Sequence, residues 1–268
     1  MLVPLPGRMR EYARFEAHPV SPKAAATVAI VRDGASGIEV FLMRRRASMA
    51  FAAGMYVFPG GGVHEEDAAE LPWAGPDAAH FAEHLGCSLD TARALVVSAV
   101  RETFEETGVL LAGSDAHSVV ADVSPFYENR CALEAREVSF ARFLRDNGLV
   151  LRADLLAAWA HWITPAFEPR RYDTRFFVAV LPEGQHIDTV SGEADRSEWA
   201  PIGAILALLD RGETAMMLPT AATCRELSAE TAATVLRTAA SRRIRPIEPR
   251  LVEFDGELWL DTDEGQCA

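Results

Sequence analysis

One stretch of the sequence, Arg101-Glu102-Thr103-Phe104-Glu105-Glu106-Thr107-Gly108-Val109, indicates the fold of this chain. Residues three and four positions apart lie on the same face of an α-helix, so the three glutamates share one face. Apolar side chains fall on the opposite face, at Val97, Val100 and Phe104. The stretch therefore predicts a helix that packs its back into a core and presents three carboxylates at its front.

The clustering of three acids on one helical face has two explanations. Like charges at these spacings destabilise an isolated helix by roughly 0.2–0.5 kcal/mol per pair. A hard divalent cation accounts for the cluster, because Mg²⁺ prefers carboxylate oxygens and keeps several waters beside a phosphate-bearing substrate. A solvated acidic helix end accounts for it as well, and the three glutamates alone do not decide between the two.

A run of glycines, Gly60-Gly61-Gly62, lies upstream of the acidic helix. It follows the short apolar segment Tyr56-Val57-Phe58, so a predicted strand ends in a loop whose backbone can approach an anion or a helix closely. Together the two stretches resemble the signature of the Nudix hydrolases, G-x5-E-x7-R-E-U-x-E-E-x-G-U, in which U is apolar. The second half of that signature matches from Arg101 to Val109, with Thr103 at its first apolar position.

The first half of the signature departs from the family pattern. Gly61 and Arg101 are 40 positions apart instead of 14, which is an insertion of 26 residues, and Asp67 replaces the signature glutamate. The chain is similar in this respect to the branch that contains the peroxisomal coenzyme A diphosphatases, whose signature is also interrupted there. The likeness runs from about residue 24 to residue 210 and includes Phe41–Arg46, Gly54–Gly61, Trp162–Pro165 and Arg170–Phe177.

The resemblance implies an α+β Nudix fold, a mixed β-sheet sandwiched between helices, with an insertion inside the signature and a C-terminal extension. It implies hydrolysis of a diphosphate linkage with Mg²⁺ or Mn²⁺ as cofactor. By position in the signature, the metal ligands are Glu102, Glu105, Glu106 and Gly61. The catalytic residues are Glu102 and Glu105, together with Arg101, which orients the carboxylates.

Further candidate residues lie outside the signature. Arginines at the ends of predicted strands are candidates for binding substrate phosphates, because the planar guanidinium fork matches phosphate oxygens. They are Arg44, Arg46, Arg171 and Arg175, and solvated or internally paired arginines would give the same pattern. Glu193 is a candidate general base, because Nudix enzymes often draw that group from the corresponding region; a surface carboxylate is the alternative.

The resemblance, together with sequence patterning, predicts a Nudix domain at 20–213, with the insertion at about 64–90, and a C-terminal extension at 214–268 packed on it. Strands are predicted at 25–32 and 38–44, forming a hairpin, and at 162–164 and 172–181. Helices are predicted at 90–107 (capped by Asp90), 138–146, 153–160, 201–209 and, with a break, 218–240. A second hairpin is predicted around Asp255-Gly256.

Composition limits the classes of partner. The 268 residues carry 39 acidic and 26 basic side chains, for a formal charge of −13. This balance argues against nucleic-acid binding, which depends on Lys and Arg neutralising phosphates. No segment approaches the ~20 apolar residues of a membrane span, and no secretory signal pattern is present. The sequence predicts a cytoplasmic protein with a small nucleoside diphosphate substrate and leaves a homodimer open.

The leading hypothesis is hydrolysis of coenzyme A or an acyl-CoA to adenosine 3′,5′-bisphosphate and (acyl)phosphopantetheine. A pyrophosphatase of ADP-ribose, dinucleotides or nucleotide sugars is the first alternative, because the signature specifies the linkage and not the groups attached to it. The second alternative is a Nudix-like module that binds its ligand without turnover. The three retained glutamates argue against that module, because a module that only binds its ligand would be expected to tolerate the loss of mutually repelling acids.

Overall fold

The computed structural model describes residues 2–5, 9–13, 19–46, 52–188 and 194–262. Its strands are β1 (Leu2–Pro4), β2 (Lys23–Gly34), β3 (Gly37–Arg45), β4 (Tyr56–Val57), β5 (Gly60–Gly62), β6 (Trp73–Ala74), β7 (Ala112–Gly113), β8 (Val150–Arg152), β9 (Leu156–Ile163), β10 (Tyr172–Val180), β11 (Ala194–Pro201), β12 (Pro246–Ile247), β13 (Arg250–Phe254) and β14 (Glu257–Asp261). Its α-helices are α1 (Met9–Tyr12), α2 (Ala78–Leu85), α3 (Leu89–Thr107), α4 (Tyr127–Glu134), α5 (Phe140–Asp146), α6 (Ile202–Asp210), α7 (Leu218–Leu227) and α8 (Val235–Ser241).

A central mixed sheet organises the chain. Its strand order is β11-β3-β2-β10-β9-β12, with β4 added beside β3 and β5 added beside β2. Strands β2 and β10 pair in parallel, whereas β2 with β3 and β9 with β10 pair antiparallel. The predicted hairpin of the first two long strands is confirmed, with the turn between Gly34 and Gly37.

Each face of this sheet carries its own apolar core. On one face the core includes the predicted back of α3, namely Val97, Val100 and Phe104, together with residues of α2 and α5. On the other face it includes residues of α6, α7 and α8. The α+β sandwich that the resemblance implied is therefore confirmed.

Two predicted helices differ in the structure. The predicted helix at 153–160 is a short 3₁₀ turn, Ala153–Leu155, followed by strand β9. The alanines of this segment favour a helix in isolation, but pairing with β10 satisfies the backbone as a strand, and tertiary context overrides propensity. Helix α3 begins one residue before Asp90, and its cap is Ser88, whose Oγ accepts a hydrogen bond from the Thr91 amide at 3.2 Å.

The insertion within the signature is built into the core on the α3 side of the sheet. It contains a 3₁₀ turn (Glu65–Ala68), strand β6 and helix α2. Phe81 and Leu85 of α2 are buried in the core that α3 shares. The Trp73 ring meets Phe81 edge-on, with 6.3 Å between ring centroids. The insertion therefore contributes core residues beside the acidic helix.

The C-terminal part of the chain completes the sheet and closes on the N-terminal segment. The predicted helical stretch with a break is confirmed as α7 and α8, and β12 pairs in parallel with β9 at the sheet edge. The predicted second hairpin is confirmed as β13 and β14. Strand β1 pairs antiparallel with β14, placing Val3 opposite Leu260.

Candidate active site

The glycine strand β5 lies between β2 and the acidic end of α3. Pairing with β2 places Gly61 opposite Ala26, and the Gly60 amide donates a hydrogen bond to Glu106 Oε2 at 2.7 Å. A Cβ atom on Gly61 would stand 2.5 Å from Cδ of Glu102. The close approach of the strand therefore leaves no room for a side chain at position 61 while the Glu102 carboxyl group keeps this position.

A buried guanidinium orders the acids. Arg101 is 4% exposed and donates from Nε and Nη2 to the two Asp67 carboxylate oxygens, at 2.9 and 3.0 Å. Its Nη1 donates to Glu102 at 2.7 Å and to Glu105 at 3.2 Å. Burial opposes the charge of Arg101, but hydrogen-bonded Asp67 and the two glutamates outweigh it and raise the pKa of Arg101. Asp67, the replacement for the signature glutamate, thus reaches the signature arginine despite its shorter side chain.

The carboxyl group of Glu105 is held in a different electrostatic environment. Burial, joined by repulsion from Glu102 and Asp67, raises its pKa to about 7, although the charge of Arg101 acts in the opposite direction. Glu105 and Glu106 are both buried, whereas Glu102 is partly exposed. Near neutral pH a proton and a cation would compete for the Glu105 carboxylate.

The donor chemistry at the end of α3 fits a hard divalent cation, since three carboxylates lie within two helical turns. In the part of the chain that the structure describes, no three acidic, histidine or cysteine side chains are already grouped around one cation position. Glu102 and Glu105 are turned toward Arg101, and Glu106 toward Gly60. Side-chain rotation would therefore have to accompany cation binding.

A cavity of about 420 Å³ opens along β5. Its walls are mostly apolar side chains from several elements, including Val57, Phe58, Trp162, Phe176, Met216 and Leu218. Arg45 and Glu168 contribute charged groups to the lining, and Val3 and Leu260 also belong to it. The glycine strand thus separates the carboxylates of α3 from a large apolar pocket.

Comparison with known proteins gives the family. The model described as the NUDT19 Nudix domain matches residues 74–222, which is more than half of the chain. This chain belongs to that Nudix family. In this Nudix domain, α3 is the helix of the signature, and the family match extends nine residues past the predicted boundary at 213, which itself stays a prediction.

Relatives of the Nudix domain include two curated vertebrate proteins, each named acyl-coenzyme A diphosphatase NUDT19. The Xenopus laevis protein is 22% identical over 204 residues, covering 63% of this chain and 54% of that protein. The Gallus gallus protein is 29% identical over 187 residues, covering 55% of this chain and 50% of that protein. The chain spans about half the length of these relatives. The crystal structure of a Nudix hydrolase from Alicyclobacillus acidocaldarius is 28% identical, with a TM-score of 0.68, covering 81% of this chain and 96% of that one.

The four predicted phosphate-binding arginines of the Nudix domain do not line the cavity in the described structure. Arg44 pairs with Asp195 at 2.8 Å, and Arg46 is exposed. Arg171 donates to the carbonyl oxygens of Thr164 and Val20 and to Glu248, while Arg175 pairs with Asp173.

Internal partners hold Arg171 and Arg175, and Asp195 pairs with Arg44. Substrate contact by the four arginines stays a prediction. Glu193 lies outside the described residues, and its role also stays a prediction.

Two features of the cavity were missed from the sequence. Arg45 lines the cavity; strand alternation indicates that only one side of the Arg44-Arg45-Arg46 run faces a given site, but Arg44 and Arg46 were chosen from that run as candidates. Residues 216–220 also line it, although they were assigned to the extension. The apolar run Met216-Met217-Leu218-Pro219 predicts burial, but the neighbouring residues do not indicate which part of the chain it packs against.

Two alanine substitutions in the glycine strand should have different effects. Gly61→Ala places a methyl group against the Glu102 carboxyl group, which can rotate, so we expect a folded protein with about 10²-fold lower kcat. Gly60→Ala places its methyl group 2.5 Å from the Cα of Thr27 and against the Ala26 carbonyl, so we expect lost stability. Thermal unfolding and steady-state kinetics of both variants test this, and wild-type activity in Gly61→Ala would contradict the packing described for the site.

Proposed function

We propose that this chain is a divalent-cation-dependent Nudix diphosphohydrolase that cleaves coenzyme A or an acyl-CoA. The observation that carries the proposal is the position of β5, with carboxylates on one side and the apolar cavity on the other. A diphosphate bound along the glycines would direct one of its attached groups into that cavity. Pantetheine and acyl chains are rich in methylene groups, and moving these groups out of water into an apolar cavity is favourable. Sugar hydroxyls would lose hydrogen bonds to water in the same place.

The proposed reaction uses the carboxylates of α3 as follows. Glu102, Glu105 and Glu106 would hold Mg²⁺ or Mn²⁺, which supplies neutralisation of the charge that develops on the phosphate oxygens. Arg101 orients Glu102 and Glu105, and the Gly60 amide orients Glu106. The oxygen of water forms a new bond to one phosphorus while the bridging P–O bond breaks. The products are adenosine 3′,5′-bisphosphate and (acyl)phosphopantetheine, with the proton of water passing to a base for which Glu193 stays a candidate.

The relatives support the substrate class only as far as they overlap this chain. Both vertebrate proteins are named acyl-coenzyme A diphosphatases, and the chain covers about half of each. No helix among the described residues is long and apolar enough to cross a bilayer. Cytoplasmic location, the lack of a nucleic-acid partner and a homodimer stay predictions.

A substrate panel tests the proposal. The purified chain is incubated with Mg²⁺ or Mn²⁺ and coenzyme A, acetyl-CoA, ADP-ribose, NADH, diadenosine polyphosphates or UDP-glucose. We expect coenzyme A and acetyl-CoA to release adenosine 3′,5′-bisphosphate, read by chromatography, with turnover lost in Glu105→Gln. Glu70→Gln, at a highly exposed position, is the matched control and should turn over normally. Preferred turnover of another compound would keep the Nudix chemistry and reject the coenzyme A substrate.

A cavity-filling variant extends the same panel to the apolar wall. Thr174 lines the cavity from β10 and is partly exposed, so Thr174→Phe fills the space without removing a core side chain. We expect a higher KM for acyl-CoA substrates with kcat nearly unchanged, because the phenyl ring competes with the apolar part of the substrate. An unchanged KM would mean that this cavity does not take the pantetheine or acyl group.

A further inference from the structure

The carboxyl end of α3 is held by a residue outside the signature. Arg130, on α4, is 3% exposed and donates from Nε to the backbone carbonyl of Glu105 at 2.9 Å. The Asp188 amide donates to the carbonyl of Thr107, also at 2.9 Å. The turn that carries Glu105 and Glu106 is therefore fixed from outside the helix.

The element that carries Arg130 is itself anchored in the core. Leu133 of α4 is buried in the cluster that includes α3. Phe126, just before α4, meets Phe143 edge-on at 5.7 Å between ring centroids, and Phe143 stacks on Phe104 of α3 at 5.4 Å. Arg130 thus extends from a packed surface, which limits how far its guanidinium can move relative to Glu105.

Burial of this guanidinium is costly. Its Nη2 atom is buried without a hydrogen-bond partner among the described residues, and an unsatisfied buried donor destabilises the folded chain. Burial lowers the pKa of Arg130, and the charges of Asp188 and Glu134 only partly oppose that effect. Stability alone does not explain an arginine here, whereas the hydrogen bond to the Glu105 backbone provides a reason for it.

We propose that Arg130 is a positioning residue that fixes the backbone at Glu105 and so aims the carboxylates of Glu105 and Glu106 at a bound divalent cation. The inference rests on the metal site of the proposed function. A contribution from charge alone would have the opposite sign, because removing a nearby positive charge strengthens cation binding. The hydrogen bond and the charge can therefore be separated by substitution.

Three substitutions at Arg130 separate them. Glutamine has its amide nitrogen at the same number of bonds from the backbone as arginine Nε, so Arg130→Gln keeps the donor and loses the charge. Arg130→Met loses both, and Arg130→Lys keeps the charge but has a methylene group at the Nε position. Arg142→Met, at an exposed position of α5, is the control. Mn²⁺ binding is measured by electron paramagnetic resonance, without substrate, and folding by thermal unfolding.

We expect Arg130→Met to bind Mn²⁺ about 10-fold more weakly than wild type, the scale of lost support to a metal ligand, and Arg130→Gln to bind at least as tightly as wild type. Equal or tighter binding by Arg130→Met would overturn the inference. Should Arg130→Met fail to fold, Arg130→Lys decides, because it keeps the charge and loses the Nε donor: weaker Mn²⁺ binding than wild type supports positioning, and binding equal to or tighter than wild type overturns it. If wild type itself does not bind Mn²⁺, the proposed metal site is overturned together with the inference. If only the inference about Arg130 is wrong, wild type still binds Mn²⁺.

Discussion

Replacement of Glu106 by glutamine is expected to lower kcat by about 10³-fold while leaving the protein folded. The proposed cation would stabilise the developing phosphate charge by several kcal/mol, and about 4 kcal/mol corresponds to a thousandfold change in rate. Glutamine keeps an oxygen that can accept the hydrogen bond from the Gly60 amide, so the glycine strand should stay in place. The charge of the side chain is then the property that changes.

Kinetics at saturating substrate and cation, with thermal unfolding of the same preparations, provide the measurement. Glu70→Gln is the control, because its side chain is 91% exposed and its distance to Arg93 is 4.0 Å. A Glu106→Gln enzyme within a few-fold of wild type would remove Glu106 from the proposed metal ligands. Glu105→Gln serves as a comparison. The two glutamates have different neighbours, so a similar loss of kcat in both variants indicates the loss of a metal ligand and not a change in local packing.

Arg101→Met is expected to cost about 3–5 kcal/mol of unfolding free energy, the largest effect on stability that we predict. The substitution leaves the carboxylates of Asp67, Glu102 and Glu105 without the guanidinium group that they share. Removing one partner of a buried charge network is costly because the remaining charges are neither solvated nor paired. The three acids would also repel one another.

Urea unfolding in the presence of a chelator measures this loss without help from bound metal. Arg211→Met removes an ion pair with Glu213 that is about half exposed on both sides, and surface changes of this kind alter stability by about 0.5 kcal/mol or less. A loss below about 1 kcal/mol in Arg101→Met would contradict the structural role given to Arg101.

Local patterns predicted the signature helix and its acids. Helical spacing alone places the three glutamates of α3 on one face and Val97, Val100 and Phe104 on the other, and the structure agrees. The hairpin of β2 and β3 is equally local, because a turn separates two β-branched runs. Such features depend on residues within a few positions of one another.

Features that depend on distant partners were not predictable in the same way. Alanine-rich β9 is a strand because β10 pairs with it. Arg171 is held by Glu248, 77 positions away, and no pattern around either residue indicates that contact. Arg130 lacks a motif altogether, since its partner is a backbone carbonyl. Asp67 was identified only by its place in the signature, and its bidentate contact with Arg101 required the folded chain.

The pairing of β1 with β14 has a consequence for synthesis on the ribosome. Val3 and Leu260, which are far apart in the sequence, are paired across β1 and β14, and both line the cavity. The long strands of the sheet and the signature helix precede β14 in the sequence and can form while translation continues. The wall that includes Leu260 is complete only after β14 has left the exit tunnel, so a nascent chain would acquire its acidic site before its full pocket.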